Sequence, residues 1–320
     1  MQQLKRYQIE SYLKANYTLT KIAKVLGVHK STISREIKRN SKKRVYNGLY
    51  AQAVSVERRK EAYKHTVFNA PMKRYIDKSL VGKQWSPEQI KGRCALEAIA
   101  MVSVERIYQY IYDDQGQGGL LYKELRTARR WRKKRLHRKH QRGQIPNRVM
   151  IDKRPEIVNT KERFGDWEAD TIIGKNHRSA IVTLTERKSQ FELVAKTDGT
   201  RVGSIKKEMV NLLAPFKEFV KTITSDNGKE FTEHQMIAEK LDALFFFADP
   251  YSPWQRGLNE YNNKLIRQYL PKKTDFNLIS YQAINMIVHK LNNRPRKLLG
   301  YKTPNEVFLA NFNQTFALIN

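Results

Sequence analysis

The chain has 320 residues, with 61 Lys plus Arg against 31 Asp plus Glu and a formal net charge of +30. That length suggests two or three domains, and so large a basic excess points to a polyanionic partner or an acidic surface. Cys94 is the lone cysteine, which excludes an internal disulfide framework and any zinc site needing two thiolates. The longest apolar runs, such as residues 243–248, fall far short of the roughly 18 residues of a membrane span, and no apolar signal core follows the first six residues. A soluble, intracellular chain is expected.

The charge is unevenly spread. Residues 1–150 carry a net +24 and residues 151–320 a net +6, so the first half is the expected polyanion-binding half. In chain order, residues 4–14 read as a first helix, with Ile9, Tyr12 and Leu13 on one face. Residues 20–26 form a short second helix, Gly27-Val28 a tight turn, and residues 31–40 a third helix. Ile33 and Ile37 lie one turn apart and face inward, leaving Lys30, Ser31, Thr32, Arg35, Lys38 and Arg39 on the other faces. Helix, glycine turn and helix with a basic outer face is the helix-turn-helix arrangement, whose second helix fits a major groove. A plain helical hairpin with a solvated basic face is the ordinary alternative.

A weaker echo follows. Ser86, Pro87 and Gln89 occupy the N-cap, first and third positions of a helix start, and residues 103–112 form an amphipathic helix with Ile107, Tyr110 and Ile111 on its apolar side. A second helix-turn-helix and a helical packing domain explain this region equally well; Cys94 reads as a small buried residue. Next, Arg126, Arg129, Arg130, Arg132, Lys133, Lys134, Arg135, Arg138, Lys139 and Arg142 form a run of one sign. With almost no acid to pair it, the run suits sequence-independent phosphate contact. The expected domains are residues 1–45 (helix-turn-helix), 46–114 (second helical region), 115–150 (basic linker) and 151–320.

From about Phe164 the periodicity changes. Residues 165–174, 179–185 and 190–196 read as strands, 203–214 as an amphipathic helix, 222–226 and 243–248 as further strands, giving an α/β mixed sheet covered by helices. Asp170 lies in the first strand, and Asp226 ends the strand after the crossover helix, just before the turn pair Asn227-Gly228. If those strands are neighbours, both carboxylates project at one sheet edge. In the helix beginning near Leu258, the residues Leu258, Tyr261, Leu265 and Tyr269 form an apolar stripe, and Glu260, Lys264 and Arg267 share the opposite face. Singly, Glu260 with Lys264 is an ordinary surface pair. Together, three crowded carboxylates call for a cation; hard oxygens suit Mg²⁺ or Mn²⁺, and two such ions clamp the attacking and leaving oxygens of a phosphoryl displacement. Lys264 and Arg267 are then expected to meet the phosphates.

Three motifs carry a family resemblance: Trp167-Glu168-Ala169-Asp170; Ser225-Asp226-Asn227-Gly228-Lys229-Glu230-Phe231; and Tyr251-Ser252-Pro253-Trp254-Gln255-Arg256-Gly257-Leu258-Asn259-Glu260, with Arg267-Gln268-Tyr269-Leu270-Pro271-Lys272 beyond it. In these the chain resembles DDE-type transposases of the bacterial insertion-sequence family numbered thirty, within the retroviral-integrase group on a ribonuclease-H-like fold. The 33 residues between Asp226 and Glu260 match that family's interval, and residues 20–40 match its N-terminal helix-turn-helix. The resemblance implies Asp170, Asp226 and Glu260 as catalytic, metal-holding residues; binding of the element's terminal inverted repeats; cleavage at its 3′ ends and joining to other DNA; a homodimer or larger assembly; and a cytoplasmic, nucleoid-associated protein. Asp166 and Glu168 compete with Asp170 for the first position.

Other residues have plainer readings. His177 reads as a solvated loop residue, Asp249 and Glu230 as structural, Asn227 and Asn259 as turn or supporting groups, and Trp254 beside Pro253 as packing or, alternatively, as a surface for an unpaired base. Thr303 to Glu306 is a capping box opening a last helix. A DNA-binding regulator accounts for the first half but not for the carboxylates, and a ribonuclease-H-type nuclease for the second half but not the first. A tyrosine recombinase needs a protein-linked DNA intermediate.

Overall fold

A computed structural model describes residues 1–61, 68–125, 145–250 and 252–319. The basic run, including Arg129, Arg130, Lys133 and Lys134, lies outside the described residues. Contacts divide the chain into one unit at Met1–Val67 and a second at Phe68–Asn320.

The first unit contains α1 (Gln3–Lys14), α2 (Leu19–Val25), α3 (Lys30–Asn40) and α4 (Gly48–Glu61). Thr18 caps α2 by accepting from the Lys21 amide at 3.3 Å, and His29 caps α3 by accepting from the Ser31 amide at 3.2 Å. Gly27 turns the chain between them at φ +62, a conformation that costs a side-chain-bearing residue strain. Ile9, Ile22, Ala23, Leu26 and Ile33 meet in one core, joined by Tyr46 and Ala51. The domain boundary expected at residue 45 is therefore corrected: α4 completes this core.

A buried guanidinium knits the unit. Arg6 of α1 bonds Glu36 of α3 at 2.7 Å, Gln52 of α4 at 2.5 Å and Ser55 at 2.9 Å. Burial works against the ionised Glu36, but hydrogen bonds from Arg6 and Asn40 outweigh it and hold its carboxyl below the ordinary value. That contribution is present above the ordinary Glu range and is lost as acid protonates Glu36.

The second unit starts with α5 (Ala70–Asp77), α6 (Pro87–Leu96) and α7 (Val104–Gly116), which enclose Ile76, Leu80, Trp85, Ile90, Cys94, Ile107 and Ile111. The capping box at Ser86 and Gln89 forms as expected. This region is fastened to the C-terminal part of the chain. Arg93 grips Glu306 through two 2.7 Å bonds, Gln89 donates to the Pro295 carbonyl at 2.6 Å, and a Cβ on Gly92 would lie 2.2 Å from the Tyr301 ring. The expected separate domain at 46–114 thus divides: α4 joins the first unit and α5–α7 join the second.

After α8 (Ile157–Thr160) come β1 (Asp166–Ile173), β2 (Ala180–Glu186), β3 (Glu192–Thr197), α9 (Val202–Leu213), β4 (Thr222–Ser225), α10 (His234–Leu241), β5 (Leu244–Phe247), α11 (Gly257–Tyr269), α12 (Tyr281–Asn292) and α13 (Pro304–Ile319). The strands form one sheet in the order β3-β2-β1-β4-β5. β1–β2 and β2–β3 are antiparallel, while β1–β4 and β4–β5 are parallel. This is the ribonuclease-H-like mixed sheet expected from the sequence. Alternation along β1 sends Trp167 and Ala169 into the core that holds α9 and α10, while Ile172 packs with Leu265, Ile266 and Ile284 of α11 and α12. Phe308 of α13 closes the first layer among Phe164, Phe191 and Phe216, with ring centroids 4.1–5.3 Å away.

Arg6→Ala is expected to cost about 3–5 kcal/mol, because it leaves the carboxylate it pairs with uncompensated. Hydrogen exchange of the α1–α4 amides in the full chain checks this, with the second unit expected to keep its protection.

Candidate active site

β1 and β4 run in parallel with Asp166 opposite Thr222 and Glu168 opposite Thr224. Continuing that register by two residues sets Asp170 opposite Asp226. Asp170 lies mid-strand, and Asp226 follows the last residue of β4. The two aspartates predicted from sequence are therefore brought together.

The Ser225–Phe231 motif builds one side of the site. Asp226 Oδ1 accepts from the Gly228 amide at 2.9 Å. Asn227 donates to the Ala248 carbonyl and accepts from Arg148, both at 2.5 Å, which ties the turn to β5 and to the segment entering the sheet. A Cβ on Gly228 would stand 2.4 Å from the Glu230 carboxyl group, so glycine here lets that carboxylate fold inward. Glu230 Oε1 accepts from Thr171 Oγ1 at 2.8 Å, and Phe231 anchors the motif in the core.

α11 lies along the open side of β1. Arg256, which ends the turn opening α11, is followed at one-turn intervals by Glu260, Asn263 and Arg267 of the helix. Arg256 donates to the Ala169 carbonyl at 3.2 Å and pairs with Asp170 at 3.3 Å and Asp226 at 3.8 Å. Asn263 donates to Asp170 Oδ2 at 2.7 Å. Arg267 donates to the Ile173 carbonyl at 2.8 Å. Glu260 lies on the stripe between Arg256 and Asn263, but its side chain is 52% exposed and pairs with Lys264 at 2.9 Å. The buried face also departs from the expected apolar stripe: Leu258 and Leu265 are buried, Tyr261 is exposed, and Asn259, Asn262 and Ile266 are buried instead.

The competing acids have structural work. Asp166 is buried against Arg163 at 2.6 Å and Thr222 at 2.7 Å. Glu168 is buried, pairs with Arg187 and accepts from the Asn259 amide at 3.1 Å, satisfying a free donor at the start of α11. Asp170 is the carboxylate of β1 that shares Arg256 with Asp226. Burial pushes its carboxyl up to about 6, with Asp226 and Glu230 adding to the shift and Arg256 opposing it.

The donor chemistry at Asp170 and Asp226 fits a hard divalent cation: paired carboxylate oxygens already share a positive charge. Glu260 is one helical turn from Arg256 and from Asn263, which contact those aspartates. Among the described residues, no group of three His, Cys, Asp or Glu side chains closes around one point. Sequence reasoning missed Arg256 and Asn263, although Arg256 stands in the quoted motif and each is one turn from Glu260. It also gave Glu230 only a structural role. Trp254, for which packing was the plainer reading, is 74% exposed in the turn that opens α11. His177 is exposed as expected, and Asp249 engages Gln255.

Residues 3–40 match a helix-turn-helix domain family. The chain is 47% identical to the transposase for insertion sequence element IS4351 of Bacteroides fragilis, over 97% of this chain and 95% of that one. The chain belongs to the IS30 family of insertion-sequence transposases. The IS1086 transposase of Cupriavidus metallidurans is 34% identical over 96% of this family member and 93% of its own length. Transposase InsI of IS30A from Escherichia coli is 33% identical over 94% and 81%. The catalytic core domain of BIV integrase overlays 48% of this chain and 98% of its own, at TM-score 0.39 and 20% identity.

Beside the site, Glu192 of β3 is buried among Thr185, Asn262 and Asn292, and burial pushes its carboxyl up to about 8. An acid raised in the folded state binds more protons folded than unfolded. Its penalty is absent below the ordinary Glu range, grows as pH rises towards about 8 and is constant above. Glu192→Gln is therefore expected to raise the melting temperature increasingly over that window and to change it little in acid; melts across pH check the trend.

Proposed function

We propose that this chain is a DDE-type DNA transposase. It binds the terminal inverted repeats of its insertion sequence, cleaves the 3′ ends by metal-dependent phosphodiester hydrolysis and joins them to other DNA through 3′-hydroxyl strand transfer. The observation that carries this reading is the meeting of Asp170 and Asp226 beneath the helix that bears Glu260.

In this reading Asp170, Asp226 and Glu260 hold Mg²⁺ or Mn²⁺, two ions per site. When bound, they activate the attacking water or hydroxyl and stabilise the leaving 3′-oxygen. The chain's own residues set the stage. Asn263 orients the Asp170 carboxylate, and Glu168 fixes the start of α11. Arg267 holds the helix on the end of β1. When Glu260 turns to the aspartates, Lys264 loses its partner and becomes the cation that meets phosphate. Glu230, buttressed by Thr171, keeps the pocket acidic.

The first unit supplies DNA recognition. Lys30, Thr32, Arg35 and Arg39 are exposed on α3 and Ser31 is half-buried, a set suited to groove edges and phosphates. Arg35 folds back onto Ser31 through bonds of 2.9 and 3.1 Å, a hold that a DNA acceptor would replace. Two element ends must be paired before joining, so a homodimer or larger assembly on double-stranded DNA follows from this reading, in the bacterial cytoplasm at the nucleoid. No helix among the described residues is long and apolar enough to cross a membrane.

The test is incubation of the protein with labelled duplex carrying the repeat that flanks its gene, with Mg²⁺ or Mn²⁺, beside Asp226→Asn and Glu260→Gln. Cutting at the 3′ end and joined products are expected from the wild type alone. Specific binding without cutting under either metal would favour a regulator. Cutting without joining would favour a nuclease. Separately, Arg35→Ala with Arg39→Ala is expected to weaken duplex binding and lower the slope of log affinity against log salt by about one per lost phosphate contact; gel shifts over a salt series measure it.

A further inference from the structure

Arg256 is the unassigned charge at the centre of the site. Its side chain is 11% exposed, and its guanidinium reaches the Ala169 carbonyl, Asp170 and Asp226 together. Two like charges in facing strand positions repel, and this guanidinium is the cation that both touch. It offsets one of the two negative charges, so the pocket with Arg256 in place still favours a cation of higher charge. A divalent ion between the same carboxylates would neutralise both, and it would compete with the guanidinium for the same oxygens.

We propose that Arg256 is a positioning residue that stands in for the divalent cation: it holds Asp170 and Asp226 in facing positions before the ion arrives, and the ion displaces it. The inference rests on the reading of those aspartates as cation ligands. The exchange needs only side-chain movement. α11 is held on β1 by other bonds, from the Asn259 amide to Glu168 and from Arg267 to the Ile173 carbonyl, so the helix keeps its place when the Arg256 side chain leaves. Arg256 is also one turn before Glu260, so its withdrawal opens the space beside the third carboxylate. The device explains how an acidic pocket stays ordered in a chain that folds before it meets metal and DNA.

The experiment is Mn²⁺ binding to the DNA-free, full-length protein, read by the paramagnetic resonance of free Mn²⁺ at about pH 8, where ordinary carboxylates are ionised. Wild type should bind, Asp226→Asn should bind more weakly, and Arg256→Gln should bind on the order of tenfold more tightly because its competitor is gone. Arg256→Lys keeps a cation and should return towards wild type. Equal or weaker binding by Arg256→Gln, with Asp226→Asn still impaired, would overturn the proposal and leave the cation-ligand reading standing. A wild type that binds no Mn²⁺, or binds it no better than Asp226→Asn, would remove that reading and the proposal with it. A second measurement needs no loss-of-charge variant. In wild-type protein titrated with Mg²⁺, the Arg256 Nε–H resonance, assigned by its loss in Arg256→Lys, should shift and exchange faster with water. A resonance that stays fixed while Mg²⁺ binds would overturn the proposal.

Discussion

The docking of α11 on β1 is the constraint on which the site depends. The helix supplies Asn263 and the turn that opens it supplies Arg256 to the aspartates, and a row of polar contacts to β1 adds to the apolar packing of Leu265 and Ile266. The Asn259 amide meets Glu168 at 3.1 Å, Asn263 meets Asp170 at 2.7 Å, and Arg267 meets the Ile173 carbonyl at 2.8 Å. Bonds of this kind fix both translation and rotation, because each needs a donor at one place and one angle. An oily seam of Leu and Ile would tolerate sliding; a row of hydrogen bonds to successive strand residues does not.

That design sets the character of the whole sheet face. Glu168 and Glu192 are buried on it, and Glu186 is buried at the end of β2 opposite Trp167, on the other side; each buried acid has to be matched where it lies. Glu168 is matched by Arg187 and a helix amide, Glu186 by the Ser189 amide and hydroxyl and the Gly165 amide. Glu192 accepts from the neutral Thr185 and Asn262, which with Arg296 only partly offset its burial, and burial drives its carboxyl up. Asn292 caps the outer edge by accepting from the Glu192 amide and donating to its carbonyl, continuing the ladder with a side chain. The opposite face is conventional, with Ile205, Met209, Leu213 and Ile237 packed on Trp167, Val182 and Leu184. The sheet therefore separates duties: one face supplies hydrophobic stability, and the other spends some of it on positioned charge.

Much of this was legible in the sequence, and what was legible was local. The helix-turn-helix elements, the capping boxes at Ser86 and Thr303 and the strands around Asp170 and Asp226 all follow from signals contained within a few residues. The pairing of the aspartates needed only the guess that β1 and β4 are neighbours. What was not legible depends on how elements face one another. Periodicity alone made Tyr261 a core residue; the polar groups of the sheet drew Asn259 and Asn262 inward in its place. The same cause hid Asn263 and Arg256, whose roles exist only across the α11–β1 contact. The boundary at 45 failed because Tyr46 and Ala51 belong to a core begun by Ile9, and no break in composition marks it. Glu230 was hidden by the glycine two residues before it, which reads as a turn signal although its use here is room for a carboxylate.

The three acids of the motif set are held in three different ways, and the difference has a physical reason. Asp170 is fixed by a strand and three donors: the Thr171 amide, Asn263 and Arg256. Asp226 is fixed by its own turn, through the Gly228 amide. Glu260 stands on the helix surface with a lysine for company. Packing all three together in advance would set three like charges against one guanidinium in a pocket that already raises Asp170, a cost the fold avoids by keeping the third carboxylate in water. The longest and most mobile of the three side chains is the one left outside, and it sits on the element whose backbone is most firmly registered to the strand. If the three acids act together as proposed, completing the set would ask for a rotation about the bonds of one glutamate rather than a shift of the sheet or the helix.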